Sequence, residues 1–427
     1  MVSAQEKGRA IIFAYPSFGW FWCARIVSGL AFQIAAAAVG WQIYALTHST
    51  FELGMVGLVQ FLPIVLLTLI AGHVVDRYDR RLIYGLSLAI QAAAAAFLAL
   101  GSGGHWLGVT GIFIAAALFG AGRAFQGPGG QALLPTLVPA PEVPNAIAWS
   151  MGSFQTASIV GPAFGGLLYA IAPAVPYALA GLLALGGCGL MALIQQERPV
   201  KPREPSTADS MFSGIHFIRR KPVILGSISL DLFAVLLGGA TALLPAFARD
   251  ILHVGPWGFG WLRAGPAVGS LVMSFVLVRH PPRRQVGRKM FAAVAIFGAA
   301  TILFGVSAYY PLSLAALIVL GAADTISVIV RQSLVQLETP NEMRGRVGAV
   351  NSLFIGTSNQ LGEFESGVTA SLLGTVGATV AGGVGTLIIV LLWMRWFPEL
   401  AAFDSFVPKA AGAHGPDALR AATGKST

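Results

Sequence analysis

A chain of 427 residues that is 56% hydrophobic and only 11% charged cannot coat a water-soluble globule; soluble domains run to about 25% charged. The composition is that of a polytopic membrane protein. A formal charge of +9 would suit nucleic acid, but the basic residues are spread among short gaps between oily runs, which argues against it.

A helix needs about 20 residues to cross the hydrocarbon. Runs of that kind fall near 20–46, 53–75, 82–100, 106–129, 146–170, 175–194, 222–247, 257–278, 289–308, 311–334, 348–371 and 374–397, which predicts twelve spans. None alternates in polarity as a barrel strand does. The first run is too long for a cleaved signal peptide. The weakest division is the last, where SLLGTVGATVAGG offers only a weak turn. Residues 399–427 mix Pro, Gly, Asp and Ser and read as a flexible tail. Cys23 and Cys188 lie in apolar runs and are expected as free thiols.

The loops after even-numbered spans carry sixteen basic residues, among them Arg77, Arg80, Arg81, Arg198, Lys201, Arg203, Arg283, Arg284 and Arg344. The opposite set carries one, Arg249. This bias places the basic loops and both termini in the cytoplasm. It also accounts for the net charge without nucleic acid.

The Pro-rich, charged loop ERPVKPREPSTADSMFSG divides the spans six and six. The expected organisation is a six-helix bundle over 1–195, a cytoplasmic linker over 196–221, a second bundle over 222–398, and the cytoplasmic tail over 399–427. The halves echo each other. QALLPTLVPAPEVPNAIAWS from Gln131 is matched by QSLVQLETPNEMRGRVGAVNS from Gln332, and GPAFGG at 161–166 by GEFESG at 362–367. Duplicated halves suit a transporter that rocks one half against the other.

The segment Gly72-His-Val-Val-Asp76-Arg77-Tyr-Asp79-Arg80-Arg81 resembles the major facilitator superfamily signature between helices 2 and 3, with Asp79 where that signature usually has Gly. Arg123-Ala-Phe-Gln126-Gly127 resembles the superfamily's fourth-helix motif. Gly161-Pro162-Ala-Phe-Gly165-Gly166 resembles the fifth-helix motif of drug and metabolite exporters. TPNEMRGRVGAVNS and GEFESG resemble a narrower branch, the enterobactin-exporter-like transporters. The resemblance covers about residues 15–398 and implies an all-α major facilitator fold with twelve transmembrane helices in two six-helix halves.

Several residues stand out for chemistry. Asp76 with Arg77, Arg80 and Arg81 is expected to gate, latching the halves in the outward-facing state, since an acid there exceeds what topology needs; a plain basic loop is the alternative. Gly161, Pro162, Gly165 and Gly166 are expected to kink and close-pack span 5. Charges inside spans are costly unless they face a cavity or a partner, which singles out Arg25, Arg123, Asp231, Asp324, Arg331, Glu363 and Glu365. Proton coupling needs a carboxylate whose charge changes between states. Burial favours the neutral form and a nearby arginine the charged one. Asp231, Glu363 and Asp324 are the candidates, with Arg123 tuning them; a fixed ion pair is the alternative for Asp231 and Asp324. Arg331, near a membrane edge, is expected to snorkel. Arg25, Gln33, Gln60, Gln126, Gln155 and Asn359 are expected on a solute cavity, with a hydrogen bond to a neighbouring helix the alternative for Gln33, Gln155 and Asn359, while Trp41 and Tyr44 suit an interfacial belt.

Glycine clusters lack the context of a nucleotide loop, and the histidines lack metal-ligand spacing. No enzyme activity, cofactor or metal is expected. The expected function is secondary efflux of a siderophore-like or amphipathic drug-like solute by a monomer in the bacterial inner membrane, exchanged for protons. Lipids would surround it, and the alternative is an uncoupled or lipid-translocating transporter.

Overall fold

The computed structural model describes residues 14–195, 208–281, 284–340 and 343–404. Among them, eleven helices are long and apolar enough to cross a membrane, and there is no strand. The helices are α1 (Pro16–Thr47), α2 (Thr50–Arg77), α3 (Arg80–Gly103), α4 (Val109–Leu137), α5 (Val143–Ile171), α6 (Ala174–Ala192), α7 (Pro222–Leu237), α8 (Pro256–Arg279), α9 (Val286–Val306), α10 (Tyr310–Leu337) and a last helix, Arg344–Trp396; α7 alone is too short to cross, and the membrane-length stretch it begins runs on to Ile251. That last helix has 53 residues, about 80 Å at the α-helical rise, far beyond the thickness of a bilayer. It is two helices merged across Gly374, whose φ of 76° only glycine adopts at ease. We label them α11 (344–373) and α12 (375–396). The weak turn expected in SLLGTVGATVAGG is this one left-handed glycine.

Local chemistry sets the ends. Ser49 caps α2 by accepting from the Glu52 N–H at 3.2 Å, the Ser-x-x-Glu arrangement of a capping box. Asp79 caps α3 by accepting from the Arg81 N–H at 2.9 Å. Pro16, Pro144, Pro222, Pro256 and Pro311 stand in the first turns of α1, α5, α7, α8 and α10, where a missing N–H costs nothing.

The span expected at 222–247 is not one helix. α7 stops at Leu237, and short irregular turns carry the chain to Ile251. Gly238 and Gly239 weaken the helix, Pro245 cannot continue its hydrogen bonding, and α11 passes close by. A Cβ on Gly239 would stand 2.6 Å from the Gly362 carbonyl oxygen.

Within the first group, α1 packs on α5 and α6, α2 on α4, and α3 on α4 and α6. In the second, α8 and α9 pack on α10, while α7 and α9 pack on the α11–α12 pair. The groups meet along two crossings, α2 with α11 and α5 with α8. The ends carrying the basic residues lie together, and we call that the basic end and its opposite the lean end.

Two flanking segments are more ordered than composition suggests. In the linker, Ala208–Arg219 is a helix whose Ile218 is buried with Val347 and Val350, while 196–207 lie outside the described residues. The tail starts docked: Leu400 is buried, and the Gly287 and Val286 N–H groups donate to the Phe403 and Asp404 carbonyls at 2.9 and 3.2 Å. Flexibility from 399 onward is therefore corrected for 399–404, because the first turn of α9 needs those acceptors. Residues 405–427 lie outside the described residues.

Candidate functional site: a cavity closed at one end

At the lean end the two groups touch backbone to backbone. A Cβ on Gly367 of α11 would stand 2.6 Å from the Cα of Gly54 in α2. A Cβ on Gly166 of α5 would stand 2.9 Å from the Cα of Gly260 in α8. Small residues permit such approach and nothing larger does. Pro162 lies at the same seam, its carbonyl oxygen 2.8 Å from a Cβ built on Gly260. Gly161 and Gly165 do not; they face Gln33 and Ile34 of α1, inside their own group. Gln155 bridges the groups, donating from Nε2 to the Ala267 carbonyl at 2.9 Å.

Trp41 and Tyr44 are buried at this seam, which corrects their placement in an interfacial belt. The Trp41 ring lies 5.5 Å from that of Phe259, and the Tyr44 hydroxyl donates to the Asp250 carboxylate. A partner in the opposite group removes the need for headgroup contact.

Beneath the seal is a cavity of about 580 Å³. Arg25, Gln33, Gln60, Gln126 and Asn359, all expected there, line it, as do Arg123 and Glu363. Gln155 does not. The cavity opens at the basic end: lining residue Gly127 has nothing within 4 Å of a Cβ, and Phe154 lines the wall yet is 57% exposed. The floor of the first group is a polar ladder. Gln126 donates to the Tyr84 hydroxyl at 3.2 Å, Gln91 donates to Gln126 at 3.3 Å, and Gln33 donates to Ser158 at 3.1 Å.

Near the closed end three charges converge from both groups. Arg123 of α4 lies over the Phe32 ring, its Cζ 4.0 Å from the centroid. Glu363 of α11 sits in a hollow left by Gly57 of α2, where a Cβ would meet Oε2 at 2.9 Å. Arg263 of α8 reaches toward α1, with Nη1 3.8 Å from a Cβ on Gly40. Arg263 and Arg123 are the cations acting on the Glu363 charge. Arg263 is not among the residues singled out from the sequence. An arginine amid the apolar run of span 8 meets the same criterion that marked Arg123. Glu365 points elsewhere and accepts from the Thr369 hydroxyl at 2.8 Å.

Asp231 and Asp324 are not on this cavity. Asp231 pairs with Arg331 at 2.9 Å inside the second group, where both are almost fully buried. Asp324 lies beside them, with Ser327 on a water-sized void. Arg331 therefore does not snorkel, because α7 supplies a buried carboxylate partner.

At the basic end, Arg81 pairs with Asp79 at 2.7 Å and donates to the Ile194 carbonyl, while Arg80 donates to the Ala132 carbonyl at 3.2 Å. These contacts tie α3 to α6 and α4 within one group. Arg77 is exposed, 3.4 Å from His73. The Asp76 backbone is in the last turn of α2, and its side chain lies outside the described residues.

Two helix groups that meet at glycine seams, around a polar cavity open at one end only, form a membrane transporter of the alternating-access kind. Residues 21–362 match the family model of the Major Facilitator Superfamily, and the chain belongs to that superfamily. It is accordingly a secondary transporter and not an enzyme. The chain is 24% identical over 423 residues to the enterobactin exporter EntS of Escherichia coli O157:H7 (strain EC4115 / EHEC), covering 95% of this chain and 98% of that protein. In fold it is similar to an inward-facing, unoccupied bacterial homologue of the human lysosomal transporter Spinster (TM-score 0.69, 14% identity, 92% of this chain and 97% of that one). It is also similar to an inward-facing bacterial homologue of the iron transporter ferroportin (TM-score 0.68, 18% identity, 91% and 99%).

Proposed function

We propose that the protein exports a siderophore-like or amphipathic drug-like solute across the bacterial inner membrane, exchanging it for protons. The reading takes twelve crossings in two six-helix halves, 1–195 and 222–398, joined by the linker 196–221. The basic loops and both termini face the cytoplasm. In that orientation the cavity faces inward, the state in which an exporter loads.

The observation that carries the proposal is the cavity itself. At about 580 Å³ it suits a drug-sized body, and it joins aromatic walls to a cluster of charges at the closed end. The likeness to an enterobactin exporter supports a siderophore-class solute. A single chain supplies the whole pathway, so a monomer suffices. Asp76, Arg77, Arg80 and Arg81 latch the basic ends together in the opposite, outward-facing state. Protons are taken up by buried carboxylates, for which the candidates are Glu363 on the cavity and Asp231 and Asp324 inside the second group.

The test is flux of a catecholate siderophore and of amphipathic dyes in proteoliposomes under an imposed pH gradient. Export is expected to rise with the gradient and to lose that dependence in Asp231→Asn, Asp324→Asn or Glu363→Gln. Flux indifferent to the gradient in the native protein favours the uncoupled or lipid-translocating alternative. Gradient-driven flux unchanged in all three variants would place coupling elsewhere.

A further inference from the structure

We infer that the cavity selects an organic anion with a ring-containing apolar body, and that Glu363 is the tethered counter-ion this solute displaces. The inference rests on the transport reading above and adds the charge class of the solute and a specificity role for Arg263.

Three guanidinium groups face the cavity, those of Arg25, Arg123 and Arg263, against one carboxylate, that of Glu363. Among the described residues, none of the three has a carboxylate within 4.0 Å or donates a side-chain hydrogen bond. The donors of three planar forks are therefore unspent, in a geometry that matches a carboxylate or similar oxyanion. An enclosed wall with two excess positive charges gathers anions and repels cations. Arg123 lies over the Phe32 ring, its Cζ 4.0 Å from the centroid, and lines the cavity. Gln360, one turn from Glu363, also lines the cavity, and its buried Oε1 has no hydrogen-bond partner among the described residues.

The placement of Glu363 gives the anion something to displace. It crosses from α11 to the hollow at Gly57 of α2 and is held in the field of Arg263 and Arg123. Those two arginines belong to opposite groups. An anion taken by both replaces the carboxylate as their counter-ion and frees Glu363 from α2.

The test measures binding, not flux, so its failure and that of the transport reading are separable. Full-length protein in phosphatidylcholine nanodiscs at low ionic strength is titrated with naphthoate, naphthamide and naphthylmethylammonium, which share a ring body and differ in charge. Naphthoate is expected to bind about tenfold or more tighter than the amide, and the ammonium weakest. Glu363→Gln is expected to tighten naphthoate about tenfold and leave the amide unchanged, while Arg263→Gln weakens naphthoate by a similar factor. Ammonium binding as tight as naphthoate, or no naphthoate binding up to its solubility limit, overturns the proposal. Competition by phosphatidylglycerol added to the nanodisc would replace the soluble anion with a lipid headgroup and overturn that part. The native charge series decides the solute class even if a variant does not fold.

Discussion

Gly367→Ala should hold the lean end ajar. The added Cβ would stand 2.6 Å from the Gly54 Cα, 2.7 Å from the Thr50 carbonyl oxygen and 2.8 Å from the Gly54 nitrogen. All three are backbone atoms, so no side chain can swing aside. Restoring van der Waals contact requires α2 and α11 to part by about 1 Å, and overpacking of this kind costs about 1–3 kcal/mol. The cost falls only on the state in which the lean end is shut. The ratio of open to shut should therefore rise about 5- to 150-fold. Gly166→Ala acts on the other seam through Gly260 in the same direction. The assay is a spin-label distance between Ile171→Cys on α5 and Leu372→Cys on α11, both well exposed at 71% and 79%, after Cys23 and Cys188 are changed to Ser. A second, longer distance should appear in Gly367→Ala and not in Gly152→Ala, whose Cβ meets nothing within 4 Å. Native distance distributions in both seam variants, with both proteins folded, would refute the idea that glycine contact closes this end.

The buried Asp231–Arg331 pair should behave as a unit. Arg331→Met alone leaves a buried carboxylate without its cation and should cost about 3–5 kcal/mol, whereas Asp231→Leu with Arg331→Met should recover most of it; thermal unfolding in detergent reads both, and additive losses would mean the pair is not coupled. Asp79→Ala removes the cap of α3 and the Arg81 ion pair and should lower stability by about 1 kcal/mol, while Asp79→Gly, the residue usual in the superfamily signature, should cost less. An unchanged melting temperature in Asp79→Ala would show that the cap contributes nothing.

Much of the architecture was legible because lipid imposes a simple rule on helices. The run read as 53–75 is the helix Thr50–Arg77, and 82–100 is Arg80–Gly103. The rule is blind to continuity, so the unwinding after Leu237 was not foreseen: it depends on how closely α11 passes two adjacent glycines. It is equally blind to partners across the fold. Trp41, Tyr44 and Arg331 resemble interfacial residues only when viewed along one helix. For the site, the cost of a charge in hydrocarbon pointed to Arg123, Glu363, Asp231 and Asp324 alike. Which of them share a cavity depends on helix rotation and on residues a hundred or more positions away, and no period in the chain encodes that.

The internal echo carries more than likeness. Five residues turn an α-helix by about 140°, so the first and last glycines of GPAFGG and of GEFESG face different neighbours. Gly161 faces α1 of its own group and Gly166 faces α8 of the other. In the second copy a Cβ on Gly362 would stand 3.0 and 3.1 Å from the Val235 and Leu236 carbonyl oxygens in α7, and Gly367 meets α2. Each copy therefore fastens one helix to its own group and, a turn and a half later, to the opposite group. That duty leaves the positions between the glycines to diverge. Where the first copy has Pro162, at the seam, the second has Glu363, on the cavity. A symmetric closure thus carries an asymmetric charge, and Glu363→Gln should change what binds in the cavity without altering the glycine contacts that shut it.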